Sequence, residues 1–78
     1  MKRLSSNLLV IDLCLGTDGY VADYEIVAHL DCCLKTARRI IHSIEYESDF
    51  MDRIKVDVKI ERDGETVKNK IHKIRVTA

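Results

Sequence analysis

Three basic side chains fall within five positions near the middle of this 78-residue chain: Lys35, Arg38 and Arg39. A guanidinium group binds phosphate oxygens, or the O6 and N7 atoms of guanine, through paired hydrogen bonds, and a lysine contributes a mobile point charge. If one helix presents these groups outward, they suit an anionic polymer. The alternative is an ordinary solvated helix face, where basic residues are common.

Cysteine and histidine side chains raise the question of a metal site, because His29 lies three residues before Cys32, and Cys33 and His42 are close in sequence. Structural zinc takes four converging ligands in pairs two to four residues apart, and adjacent cysteines do not easily reach one ion. We therefore expect no metal site and a core position for Cys14. Three cysteines, two of them adjacent, indicate reduced thiols in a cytoplasm.

Motifs typical of enzymes do not occur in the sequence. It has no glycine-rich phosphate loop, no nucleophile elbow and no metal-ligand pair. The acidic run of Glu45, Glu47, Asp49 and Asp52 is interpreted as a solvated loop. We expect no catalytic activity, no cofactor and no small-molecule substrate.

The composition predicts one folded domain over residues 1–78, with 46% hydrophobic and 33% charged residues and a net charge of zero. Positive charge is concentrated late, since residues 53–78 hold eight Lys or Arg against four Asp or Glu. No apolar run approaches the roughly 20 residues that span a bilayer, and the segment after Met1-Lys2-Arg3 lacks the small-residue cleavage site of a signal peptide. A cytoplasmic location without membrane contact is expected.

Apolar periodicity predicts three short helices, over about residues 6–15, 24–30 and 34–46. Ser5 or Ser6 would cap the first and Asp23 the second. In the third helix the apolar positions fall three and four apart and should be buried, namely Ala37, Ile40, Ile41 and Ile44. The outer side then holds the basic cluster and His42.

A long β-hairpin is predicted over about residues 53–77, because the apolar period there changes to two. Asp63-Gly64 is a strong turn signal. The return strand changes parity between Ile71 and Ile74, which predicts a bulge near His72-Lys73. A short strand at Tyr20-Val21 should pair beside the hairpin, and the fold class is therefore α+β.

The segment 26–41 resembles the helix-turn-helix of winged bacterial regulators of the DeoR-like and biotin-repressor-like kind. The matching residues are Leu30, Thr36, Ala37, Arg38 and Arg39, with Cys32 on the position of the usual valine. Two residues depart from the pattern, since Asp31 replaces the turn glycine and Cys33 replaces the serine that caps the recognition helix. Aspartate tolerates the left-handed conformation, so Asp31 is still expected to make the turn.

The resemblance implies a winged helix-turn-helix fold, with helix 34–46 as the recognition helix and the hairpin as the wing. It places Leu34, Lys35 and Arg39 against base edges, and Thr36 and Arg38 against the DNA backbone. His42 completes the predicted set on the helix. On the wing, the residues expected to hold flanking phosphates are Lys59, Arg62, Lys68 and Lys70.

These features predict a sequence-specific protein that binds double-stranded DNA as a homodimer, because one small domain reads too few base pairs. Its size suits a transcriptional regulator or recombination accessory factor of a phage, plasmid or mobile element. The alternative is a winged helix used only for protein contact, for which a net charge of zero is natural. For the predicted wing cations the alternative is pairing across the strands with Asp57, Glu61 and Glu65, which would contribute solubility and little binding.

Overall fold

The computed structural model describes residues 5–49, 52–62 and 70–78. Over these ranges the chain is an α+β domain in which three helices lie against a three-stranded antiparallel sheet. The elements are α1 Ser6–Leu15, β1 Val21–Ala22, α2 Asp23–Leu30, α3 Leu34–Ser48, β2 Lys55–Arg62 and β3 Lys70–Thr77. The element order is the one that the periodicity predicts.

The N-terminal caps of α1 and α2 differ in kind. Ser5 caps α1 as predicted, since its hydroxyl oxygen accepts from the Leu8 N–H at 3.2 Å. The predicted cap of α2 is wrong: Ala22 holds the cap position, and its N–H donates to Glu25 Oε2 at 3.2 Å. Asp23 is instead the first helical residue and points inward, with 2% of its surface exposed.

The turn between α2 and α3 depends on Asp31, which has the left-handed backbone angles φ 53° and ψ 51°. The Cys32 N–H then reaches back to the Val27 carbonyl at 3.3 Å and closes the end of α2. This confirms that Asp31 makes the turn in place of glycine. Cys33 is the N-cap of α3, whose last residue, Ser48, lies two positions beyond the predicted end.

The sheet has the strand order β1-β3-β2, so β3 is central. The register between β2 and β3 runs without interruption from Lys55↔Thr77 to Arg62↔Lys70. The predicted bulge at His72-Lys73 is therefore wrong, because Ile71 stays on the face away from the helices and needs no change of parity. The Asp63-Gly64 turn lies outside the described residues.

The core lies between the three helices and one face of the sheet. It consists of Val10, Ile11, Cys14, Val21, Ile26, Ala37, Ile40, Ile41, Ile44, Ile74 and Val76. The four predicted apolar positions of α3 are among them, and burial raises the pKa of the Cys14 thiol to about 11. None of the helices in the described ranges is both long enough and apolar enough to cross a bilayer.

Candidate nucleic-acid interface

The outward side of α3 carries two cations one helical turn apart. Because Ile40, Ile41 and Ile44 are buried beneath the helix, Lys35 and Arg39 lie on the opposite side, and both are exposed. Among the described residues, neither takes part in an ion pair. Leu34, in the first turn, is 41% exposed beside them. Both positive charges are therefore available to a ligand.

The start of α3 is organised by a thiol and a hydroxyl group. Cys33 Sγ lies 3.1 Å from Thr36 Oγ1, and the thiol is exposed. Hydrogen bonds from the Thr36 hydroxyl, and from nearby backbone groups, lower the pKa of Cys33 below its ordinary value. Thr36 is half-buried, and its hydroxyl already has a hydrogen-bond partner in Cys33.

Arg38 faces the protein, unlike Arg39. Its Nε atom donates to Asp23 Oδ2 at 3.0 Å, and its Nη2 atom donates to the carbonyl of Lys70 at the start of β3. The same Asp23 oxygen accepts the backbone N–H of His72 at 3.1 Å. Strand β1 pairs with β3 at Ile74 and Lys73. Beyond the end of β1, the side chains of Arg38 and Asp23 bond the backbone of β3 instead.

This arrangement gives Arg38 a structural role that the sequence analysis did not assign. The resemblance places Arg38 on the DNA backbone, whereas its guanidinium here bridges α2, α3 and β3. Its side chain retains 31% exposure, against 3% for Asp23. The sequence feature that could have indicated this role is Asp23, a charged residue directly after the apolar strand β1. The prediction that Asp23 caps α2 leaves Arg38 without this partner.

His42 contacts the sheet through His72, which is not among the predicted site residues. Its Nε2 atom lies 3.0 Å from His72 Nδ1, with the two rings nearly perpendicular at 85°. On the other side of the ring, Nδ1 lies 3.5 Å from Glu45 Oε1. In a strand without a bulge, His72 lies on the same face as the buried Ile74 and Val76, because alternate residues share a face.

The predicted wing residues divide between the two faces of the hairpin. Arg62 and Lys70 pair directly at its outer end, are exposed, and share the parity of the residues that face the helices. Lys59 lies on the opposite face, where its Nζ is 3.1 Å from Glu61 Oε1 and 4.6 Å from the centre of the Tyr20 ring. The structure thus does not bring Lys59 together with α3, and Lys68 lies outside the described residues.

On the face of the sheet away from the helices, acidic and basic side chains form ion pairs with each other. Lys73 Nζ lies 2.8 Å from Glu61, and Arg75 lies 3.5 Å from Asp57, which also accepts from the Tyr20 hydroxyl. The pairing of Glu61 with Lys73 and Lys59 lowers the pKa of its carboxyl group. The expected pairing across strands with the predicted wing cations is wrong for Asp57 and Glu61, because their partners across the strands are Arg75 and Lys73, while Lys59 pairs with Glu61 within β2. Glu65 lies outside the described residues.

No family model matches this chain, and neither a curated protein nor a solved structure matches it. What the protein does is therefore inferred from the geometry of α3 and the hairpin. Within residues 5–49, 52–62 and 70–78, no three His, Cys, Asp or Glu side chains converge so as to hold a metal ion.

Proposed function

We propose that this protein is a winged helix-turn-helix DNA-binding protein with α3 as its recognition helix. The observation that carries the proposal is the pair of exposed cations on α3, Lys35 and Arg39, which have no ion pair among the described residues. Cations without acidic partners are the groups that replace the counterions of a phosphate backbone. The remaining arginine of α3, Arg38, forms an ion pair with Asp23.

The first two turns of α3 read bases. A helix about 10–12 Å across fits a major groove about 12 Å wide, and the N-terminal residues of such a helix approach the base edges. Arg39 donates two hydrogen bonds to guanine, and Lys35 bonds a base or a neighbouring phosphate. Leu34, half-exposed at the tip, contacts a thymine methyl group.

The hairpin supplies contacts that do not depend on sequence. Arg62 and Lys70 lie side by side at its outer end, on the face that the helices share, and hold flanking phosphates together with Lys68. Arg38 acts as a positioning residue, because its bonds to Asp23 and to the Lys70 carbonyl set the spacing between α3 and the hairpin.

A homodimer places two copies of α3 on a pseudo-palindromic site, because one domain with a few base contacts binds weakly. The role that fits is a small cytoplasmic transcriptional regulator or a recombination accessory factor of a phage, plasmid or mobile element. It requires no catalysis and no cofactor.

A winged helix that contacts only protein is the second candidate, and the surface of α1 favours it. Leu8 and Leu15 are 50% and 46% exposed, on a helix whose sequence is apolar on nearly all sides. Apolar groups on such a surface suit a protein partner, whereas they add nothing to phosphate binding.

A salt titration distinguishes the two candidates. Fluorescence anisotropy of a labelled random duplex would be followed at several KCl concentrations. Four phosphate contacts per domain give a slope of about −3 to −4 in log affinity against log salt. The double variant Lys35→Ala/Arg39→Ala should lose most binding, and Lys59→Ala, on the far face of the sheet, is the matched control. A folded wild-type protein without low-salt affinity would refute DNA binding and favour protein contact.

A further inference from the structure

Two imidazole rings from different elements meet where α3 crosses β3. His42 belongs to α3 and His72 to β3, and their facing nitrogens, Nε2 and Nδ1, are 3.0 Å apart. The ring centres are 5.1 Å apart in an edge-to-face arrangement. DNA binding, as proposed above, does not require these two rings to contact each other.

The charges around this histidine pair come from three elements. Helix α2 contributes Asp23, α3 contributes Arg38 and Glu45, and β3 contributes Lys70. Strand β2 places the uncharged Ile60 opposite His72. Beside His72 the positive charge of Arg38 outweighs the negative charge of Asp23, and Lys70 adds to it, whereas Glu45 contacts the other nitrogen of the His42 ring.

The hydrogen bond between the rings depends on the number of protons that they hold. One facing nitrogen must donate and the other must accept. This is possible when both rings are neutral, or when one is an imidazolium and the other is neutral. With two imidazoliums there is no acceptor, and two positive charges face each other at 3.0 Å, close to Arg38.

We propose that His42 and His72 form a proton-sensitive latch, a hydrogen bond between α3 and β3 that persists while at least one ring is neutral and is lost when both are protonated. The latch works in the free protein, whether or not α3 binds DNA. Burial, and then the charges of Arg38 and His42, lower the pKa of His72, which favours the neutral form of its ring as the pH falls. The protons come from solvent, and no other bond is formed or broken.

A double-mutant cycle tests the latch on the full chain. The equilibrium constant for unfolding would be measured in urea for the wild type, His42→Ala, His72→Ala and the double variant, at pH 8.0 and pH 4.5. At pH 8.0 we expect a coupling of roughly fivefold in that constant, the usual size for one side-chain hydrogen bond. At pH 4.5 the coupling should vanish or change sign.

His29 offers a matched control, since it is an exposed histidine on α2 that makes no hydrogen bond or ring contact with His42 or His72 within the described ranges. A His29→Ala/His72→Ala cycle should show no coupling at either pH. Equal coupling of His42 and His72 at both pH values, or none at pH 8.0, would overturn the latch.

A second measurement needs no unfolding of a variant. The imidazole carbon-bound proton signals of the wild type would be followed by NMR from pH 8.5 to pH 4. The latch predicts that the pair binds two protons in well-separated steps, because the second proton ends the hydrogen bond. In His42→Ala, His72 should titrate in one step at higher pH than in the wild type. Two histidines that titrate independently in the wild type would contradict the proposal.

Discussion

Arg38 Nε donates to Asp23 Oδ2 at 3.0 Å, and this carboxylate, which is almost fully buried, is the point where α2, α3 and β3 meet. The same oxygen accepts the N–H of His72, so Asp23 satisfies one charged and one backbone donor. The second of two adjacent arginines remains exposed. Neighbouring residues of one type thus have different environments, since Arg38 is bonded within the protein and Arg39 is exposed to solvent.

The first prediction concerns the stability that Asp23 provides. Asp23→Ala removes the acceptor of both donors, so the free energy of unfolding should fall by about 3 kcal/mol. Arg38→Ala should cost less, about 1 to 2 kcal/mol, because water partly solvates this side chain and screens its charge. Urea denaturation followed by circular dichroism measures both. Asp12→Ala, an exposed carboxylate on α1, should change stability by no more than about 0.5 kcal/mol. Equal effects of Asp12→Ala and Asp23→Ala would contradict the structural role of the pair.

The second prediction separates base reading from phosphate binding. If Arg39 bonds guanine, Arg39→Ala should lower affinity for a duplex selected by the wild type by about 1 to 3 kcal/mol and relax the preference at one position. Lys70→Ala should weaken all duplexes equally and reduce the salt slope by about 0.9 for each domain bound. Selection from a random library, followed by anisotropy, measures both effects. A loss of base preference in Lys70→Ala, with none in Arg39→Ala, would reverse the assigned roles.

The third prediction concerns the turn between α2 and α3. Asp31 has φ 53°, a region where a β-branched residue is strongly disfavoured. Asp31→Val should therefore lower the free energy of unfolding by about 2 kcal/mol. Asp31→Gly should retain or slightly raise stability, because glycine adopts this conformation without steric cost. Thermal unfolding of the two variants provides the comparison, and equal melting temperatures would contradict a left-handed residue 31.

The fourth prediction is the order in which the cysteines react. The lowered pKa of the exposed Cys33 gives more thiolate at a given pH, whereas the buried Cys14 has a pKa of about 11. Alkylation of the folded protein at pH 7.5 should therefore modify Cys33 well before Cys14. Thr36→Val removes the hydrogen bond to Cys33, so the midpoint of its pH–rate profile should move upward. Peptide mapping by mass spectrometry measures both, and an unchanged midpoint would exclude Thr36 as the cause.

Periodicity alone predicted the helices and the long hairpin. Ala37, Ile40, Ile41 and Ile44 fall at helical spacing and are all buried, and the alternation after Arg53 becomes β2. The predicted bulge is wrong, because it requires Ile71 to face the core, and an apolar strand residue can also lie on the outer face. Ile71 lies half-buried on the other face, beside the charged network of that face.

Spacing along the chain determined which residues share a face of one element, because the helical and strand repeats follow from backbone geometry. The helical spacing therefore placed Lys35 and Arg39 on the exposed face of α3 and the isoleucines on its buried face. Only the tertiary structure decided which charges meet across elements, such as Arg38 with Asp23, fifteen residues away, and His42 with His72, thirty residues away. Such pairs depend on how α2, α3 and β3 pack, and no repeat along the chain records that packing.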